Sequence, residues 1–131
     1  GVLALEPKVL ILDEPTVALD YQSREEIMAM VKKLKEEFDM TIVLVTHNMD
    51  YVLEYADKVF VLKNGEISFE GRVEDLFLNE QVLKDNSLEL PEVLKFYRKL
   101  EANNIVLDVF PRKYEELINA LKNKIGSSRN E

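Results

Sequence analysis

Apolar positions along this chain alternate between two spacings, and the switches mark its elements. Val9 to Leu12 is a short, wholly apolar run, as expected of a strand covered on both faces, and Thr41 to Val45 is a second, β-branched run of the same kind. Between them Ile27, Met30, Val31, Leu34 and Phe38 recur at helical spacing, forming one stripe of an amphipathic helix. Ser23, followed three residues later by Glu26, reads as the capping box that starts it. Strand, helix and strand at these lengths make a βαβ unit, which implies parallel strands and a right-handed crossover. Upstream, Leu3 and Leu5 ahead of Glu6-Pro7 read as the end of a helix stopped by proline.

Downstream, Met49, Val52, Leu53 and Ala56 mark a short helix over 48–56. KVFVLK and EISFEG are two strands joined by Asn64-Gly65, the dipeptide that best satisfies the two positive φ angles of a type I′ turn. A hairpin added to a parallel pair predicts a mixed sheet. From Val73 the texture is helical. One short helix covers 73–78. Pro91 opens another, with Val93, Phe96, Tyr97 and Leu100 on its inner stripe, and Tyr114, Leu117, Ile118, Leu121 and Ile125 mark a third. Residues 105–109 read equally as a strand or an extended link, and 126–131 as a frayed tail. No repeat or low-complexity segment interrupts this order.

Composition narrows the setting. The 131 residues suffice for a real core, and the 47% apolar content is that of an ordinary globular chain. No apolar run approaches the ~18 residues of a membrane span. Cysteine is absent, which removes disulfides and thiolate metal sites and fits a cytosolic setting. The net charge of −8 argues against nucleic acid or an anionic lipid surface as the main partner. The KKLKEE run at 32–37 is a solvated helix face. Tyr51, Tyr55, Phe96 and Tyr97 lie at helical spacing, as packing residues do, rather than forming a base-stacking platform.

The chemistry concentrates at the strand ends. Asp13 and Glu14 close the first strand, and Thr46-His47 closes the second. Ligands of open parallel sheets sit beyond the carboxyl ends of the strands, so these groups converge although 33 positions separate Glu14 from His47. Two adjacent carboxylates repel one another, and something must offset that cost. A Mg²⁺-bound phosphate chain would do so. One carboxylate answers the hard cation, the other orients or deprotonates an attacking water, and an imidazole can touch a terminal phosphate. Taken singly, Asp-Glu pairs are mostly solvated loops, lone histidines are mostly structural, and Asp20 could simply cap a turn. Thr16 reads as structural or functional with equal ease.

In combination, VLILDEPTVALD followed by VLVTHNMDYVLEYADKVFVLKNGEISFEG resembles the second half of an ABC-type nucleotide-binding domain. The resemblance covers residues 1–75. It implies that the apolar strand ending in Asp13 is a Walker B motif whose carboxylate holds Mg²⁺, that Glu14 is the catalytic glutamate, and that His47 is the switch histidine at the γ-phosphate. It makes Val17 to Asp20 the D-loop, with Asp20 at a dimer interface. Tyr21 stands where the family commonly has proline. LPEVLKFYRKLEANNI, at 90–105, resembles C-terminal extensions of ATPases from energy-coupling factor importers, which help pair two ATPase subunits. The implied fold is α/β: the C-terminal part of a P-loop NTPase-type sheet, a βαβ unit plus a β-hairpin, followed by a small helical extension at 76–131.

A phosphate-binding loop needs G-x-x-x-x-G-K-[ST], and the four glycines, Gly1, Gly65, Gly71 and Gly126, are not so spaced. The family's signature motif and glutamine loop are also missing. The chain is therefore expected to be a C-terminal half whose Mg²⁺ and ATP are those of an intact parent; alone it should bind neither, and exposed apolar sheet should favour self-association. The implied parent is a transport-coupled ATPase on the cytoplasmic face of a membrane. Its expected partners are a second ATPase subunit, identical or different, and transmembrane transporter subunits, with no nucleic acid. Two other readings stay open: a non-catalytic interaction or dimerisation module, and a soluble ABC ATPase.

Overall fold

A computed structural model describes residues 8–129, so the helix end expected at Leu3 to Pro7 lies outside the described residues. The chain divides into two compact units, Gly1–His47 and Asn48–Glu131. The first holds β1 (Val9–Asp13), α1 (Tyr21–Phe38) and β2 (Thr41–Val45). The second holds α2 (Met49–Tyr55), β3 (Lys58–Lys63), β4 (Glu66–Arg72), α3 (Val73–Phe77), α4 (Glu80–Asp85), α5 (Glu92–Ala102) and α6 (Tyr114–Arg129).

In the first unit β1 and β2 pair in parallel, Val9 opposite Thr41 through Asp13 opposite Val45. This is the expected βαβ arrangement, with α1 packed on β2. The strands are covered on one face only, however. Leu10, Leu12, Ile42 and Leu44 are half-buried, whereas Val9, Ile11, Val43 and Val45 remain 43–68% exposed. One helix can cover only one side of a two-stranded ladder, and a wholly apolar strand does not by itself say which side stays open. The helix cap also differs from expectation. α1 begins at Tyr21, because the Asp20 carboxylate, not the Ser23 side chain, caps it, accepting the Ser23 amide at 2.7 Å. A charged acceptor makes the stronger bond. Asp39 ends the helix in the left-handed region at φ 51°.

In the second unit β3 and β4 pair with each other and, among the described residues, with no other strand. The mixed sheet expected from the sequence is therefore two separate two-stranded sheets. Asn64 (φ 53°) and Gly65 (φ 76°) turn the hairpin as anticipated, and a register shift between Val61 and Leu62 twists it. Its buried residue Val61 joins Leu53, Phe77, Leu94, Leu107 and Leu117 in a continuous core. Hairpin and helices thus share one core that runs through position 75. Residues 105–109 form an irregular link that contributes Leu107 to this core, not a strand. α4 was not legible, since only Val82 and Leu83 carry its apolar stripe. α6 continues through Gly126 to Arg129 instead of fraying.

Two guanidinium groups close the backbone of this unit. Arg98 donates to the carbonyl of Phe77 at 2.9 Å and to Glu80 at 3.1 Å. Arg112, 56 positions beyond Ala56, donates to that residue's carbonyl at 2.7 Å and to the carboxylate of Glu74, tying the end of α2 to α3. Partial burial pushes the Glu74 carboxyl up, but its own amide together with Arg112 and Arg72 outweighs this and holds it below its ordinary value. Its contribution is therefore full above the ordinary glutamate range and is lost as pH falls through the lowered value. Arg112→Ala should destabilise the second unit by about 1–3 kcal/mol and blunt its acid sensitivity below about pH 4.5. Urea titration at two pH values, followed through second-unit amide resonances, checks both; an unchanged midpoint would show the staple to be idle.

Candidate functional site

The parallel register brings the carboxyl ends of β1 and β2 level, and the candidate residues follow from there. Asp13 is the last residue of β1 and is exposed, on the face that carries Val9 and Ile11. Glu14 then leaves the extended conformation for the left-handed region at φ 44°. Such a conformation costs a non-glycine residue on the order of 1 kcal/mol, and here the surroundings hold it in place. The Glu14 amide still donates to the carbonyl of Val45 at 2.8 Å, extending the ladder by one bond. Its side chain turns toward the end of β2, where Oε1 accepts the backbone amide of His47 at 2.9 Å.

The same oxygen lies 3.5 Å from Nε2 of His47, whose side chain is fully exposed, while that of Glu14 is 27% exposed. Glu14 and His47, 33 positions apart, are thus brought into contact as the strand arithmetic anticipated. Asp13 and Glu14 are not left side by side: the left-handed turn sends the second carboxylate toward β2 while the first stays on the open face.

Asp20 is engaged differently. Its carboxylate caps α1, and the Ser23 amide, then the Ser23 hydroxyl, hold it below the ordinary aspartate value despite slight desolvation. Thr16 is buried. Its carbonyl accepts the Leu19 amide at 3.3 Å, and the carbonyl of Glu14 accepts the Val17 amide at 3.3 Å, so the loop from Glu14 to Asp20 is two successive turns. The residue that sequence reading missed is Arg24, whose Nε donates to the carbonyl of Leu19 at 2.8 Å. A cation in the first turn opposes the helix dipole, and that misfit was the available signal.

Among the described residues no three His, Cys, Asp or Glu side chains cluster to hold a metal unaided. Asp13 nevertheless offers the right chemistry for Mg²⁺. This cation commonly takes one or two carboxylates and completes its shell with water and substrate phosphates. Among the described residues no helix is long and apolar enough to cross a membrane.

No protein-family model matches the chain. In sequence it is 44% identical over 125 residues to the energy-coupling factor transporter ATP-binding protein EcfA2 of Enterococcus faecalis, covering 95% of this chain and 43% of that protein. It is 40% identical over 109 residues to the corresponding ATP-binding protein EcfA of Methanoculleus marisnigri, covering 83% of this chain and 39% of that one. The chain therefore spans less than half the length of these relatives. Among solved structures it resembles cbiO1 of Clostridium perfringens, described as part of the ABC transporter complex cbiONQ, with a TM-score of 0.52 and 41% identity over 73% of this chain and 38% of that one.

The Asp20 cap generates a pH prediction. Because its carboxyl is held low in the folded state, its contribution is complete above the ordinary aspartate value of 3.8 and is lost as pH falls through the lowered value. The Ser23 amide proton shift should titrate with a midpoint below 3.8. Asp20→Asn should abolish that titration while keeping α1 capped, and Asp20→Ala should fray its first turn. A midpoint at or above the ordinary value would contradict the capping geometry.

Proposed function

We propose that this chain, which resembles the C-terminal part of the ABC-type ATP-binding subunits of energy-coupling factor transporters, supplies the hydrolytic half of an ATPase site. The observation that carries this is the contact between Glu14 and His47 across the ends of β1 and β2. Both His47 contacts fall on Oε1 of Glu14, and on this reading its carboxylate would orient and polarise the attacking water. The exposed imidazole of His47 would donate to a γ-phosphate oxygen. Asp13, on the open face, would hold Mg²⁺, which would neutralise charge developing on the phosphates. Asp20 would lie at the interface with a second ATPase subunit.

On this reading residues 1–75 are ATPase domain and 76–131 an extension that helps pair two subunits. The parent would be an importer's ATPase, docked through transmembrane partners on the cytoplasmic face. Phosphoryl transfer depends on positioning and electrostatics, and the sequence holds no phosphate-binding loop to cradle the nucleotide. The complete site then needs that cradle from a segment outside these residues.

Titration calorimetry of this chain with Mg-ATP should show no binding tighter than about millimolar; a micromolar Kd would overturn the cradle requirement. Fused behind the N-terminal remainder of the Enterococcus faecalis relative, the chain should bind and hydrolyse ATP. There Glu14→Gln should retain binding while lowering kcat by at least about 100-fold. An unchanged kcat would sink the assignment of Glu14, and with it the hydrolytic reading.

A further inference from the structure

We propose that Arg24 is a positioning residue for the acidic loop, fixing the peptide that leads into Asp20 and so the path from Glu14 to Asp20; this rests on the reading that the loop serves ATP hydrolysis. The loop does not hold itself. Its two turn bonds, Val17 to Glu14 and Leu19 to Thr16, are both 3.3 Å, at the long end of normal, and Glu14 and Ala18 both sit at positive φ, 44° and 66°. A segment with weak internal bonds and two unfavourable residues needs an external restraint.

The half-buried guanidinium of Arg24 supplies it. Nε reaches back from the first turn of α1 to the Leu19 carbonyl at 2.8 Å, shorter than either turn bond. Its own amide donates to the Asp20 carbonyl at 3.0 Å, so this one residue secures two consecutive carbonyls. Asp20 meanwhile accepts the Ser23 amide, and the end of the loop is thus locked to the helix from both sides. The charge gains nothing for the helix, because a cation at the N-terminal turn faces the positive end of the dipole. The position makes sense as a loop clamp. Lysine would replace it only in part, having a point charge on a flexible stem where arginine has a planar fork.

The test compares Arg24→Ala and Arg24→Lys with the unmutated protein. In this chain, amide exchange at Val17 and Leu19 should quicken about tenfold in Arg24→Ala, while β1–β2 amides and the thermal midpoint stay put, and Arg24→Lys should restore most of the protection. In the fusion protein Arg24→Ala should lower kcat on the order of tenfold with KM changed by less than about twofold, and Arg24→Lys should fall between. Unaltered exchange, or losses that only track a lowered thermal midpoint, would reduce Arg24 to a structural residue and overturn the proposal. Full kcat in Arg24→Ala beside an inactive Glu14→Gln would overturn it while leaving the hydrolytic reading intact. Full kcat in Glu14→Gln would overturn both.

Discussion

Everything at the candidate site depends on the parallel register of β1 and β2. Pairing Asp13 with Val45 sets two strand ends level, and the extra bond from the Glu14 amide to the Val45 carbonyl carries the ladder one residue beyond the strand. That bond makes the left-handed turn at Glu14 affordable, and the turn brings its carboxylate within reach of the His47 amide. A slip of β1 by one residue would put Asp13 where Glu14 stands and turn every side chain of that strand to the other face. The exposed imidazole and the Oε1 that accepts the His47 amide both follow from a register set by apolar residues several positions away.

The second unit shows a different economy. Its hairpin and helices share a core around Leu53, Phe77, Leu94 and Leu117, but several helices are short, and helices of five to seven residues leave most of their end groups unpaired within the helix. Guanidinium groups fill part of that gap. Arg98 takes the Phe77 carbonyl at the end of α3, and Arg112 takes the Ala56 carbonyl at the end of α2. Each also meets a carboxylate, so one side chain caps a helix and balances a charge. A short helix stabilised this way depends on a residue far along the chain, which is why its stability cannot be read from its own sequence.

The limits of sequence reading follow the same line. β1, α1, β2, the Asn64-Gly65 hairpin and α5 were legible because each rests on periodicity or turn chemistry within its own span. The convergence of Glu14 and His47 was legible because parallel pairing is arithmetic. The cap at Asp20 was missed in favour of Ser23, since both are good capping residues three places apart and only geometry decides between a carboxylate and a hydroxyl. α4 was too short to show a period. The open face of Val9, Ile11, Val43 and Val45 was hidden because an all-apolar strand encodes burial without saying what does the burying. Arg24 was not singled out, although its misfit with the helix dipole was visible in the sequence.

The charge at the site decides what else it requires. The segments that build it, 9–20 and 41–47, contain three acidic residues, Asp13, Glu14 and Asp20, one histidine and no lysine or arginine. Arg24, in the first turn of α1, spends its Nε on the Leu19 carbonyl. A triphosphate carries several negative charges and could not approach such a rim unaided, because at the effective dielectric of a protein surface two like charges 4 Å apart repel by about 4 kcal/mol. The rim can therefore serve nucleotide chemistry only when a divalent cation screens Asp13 and backbone amides or a lysine from another segment hold the phosphates. On the proposed reading these residues would furnish the water-activating, proton-handling side of the reaction, and affinity for an anionic substrate would come from other groups.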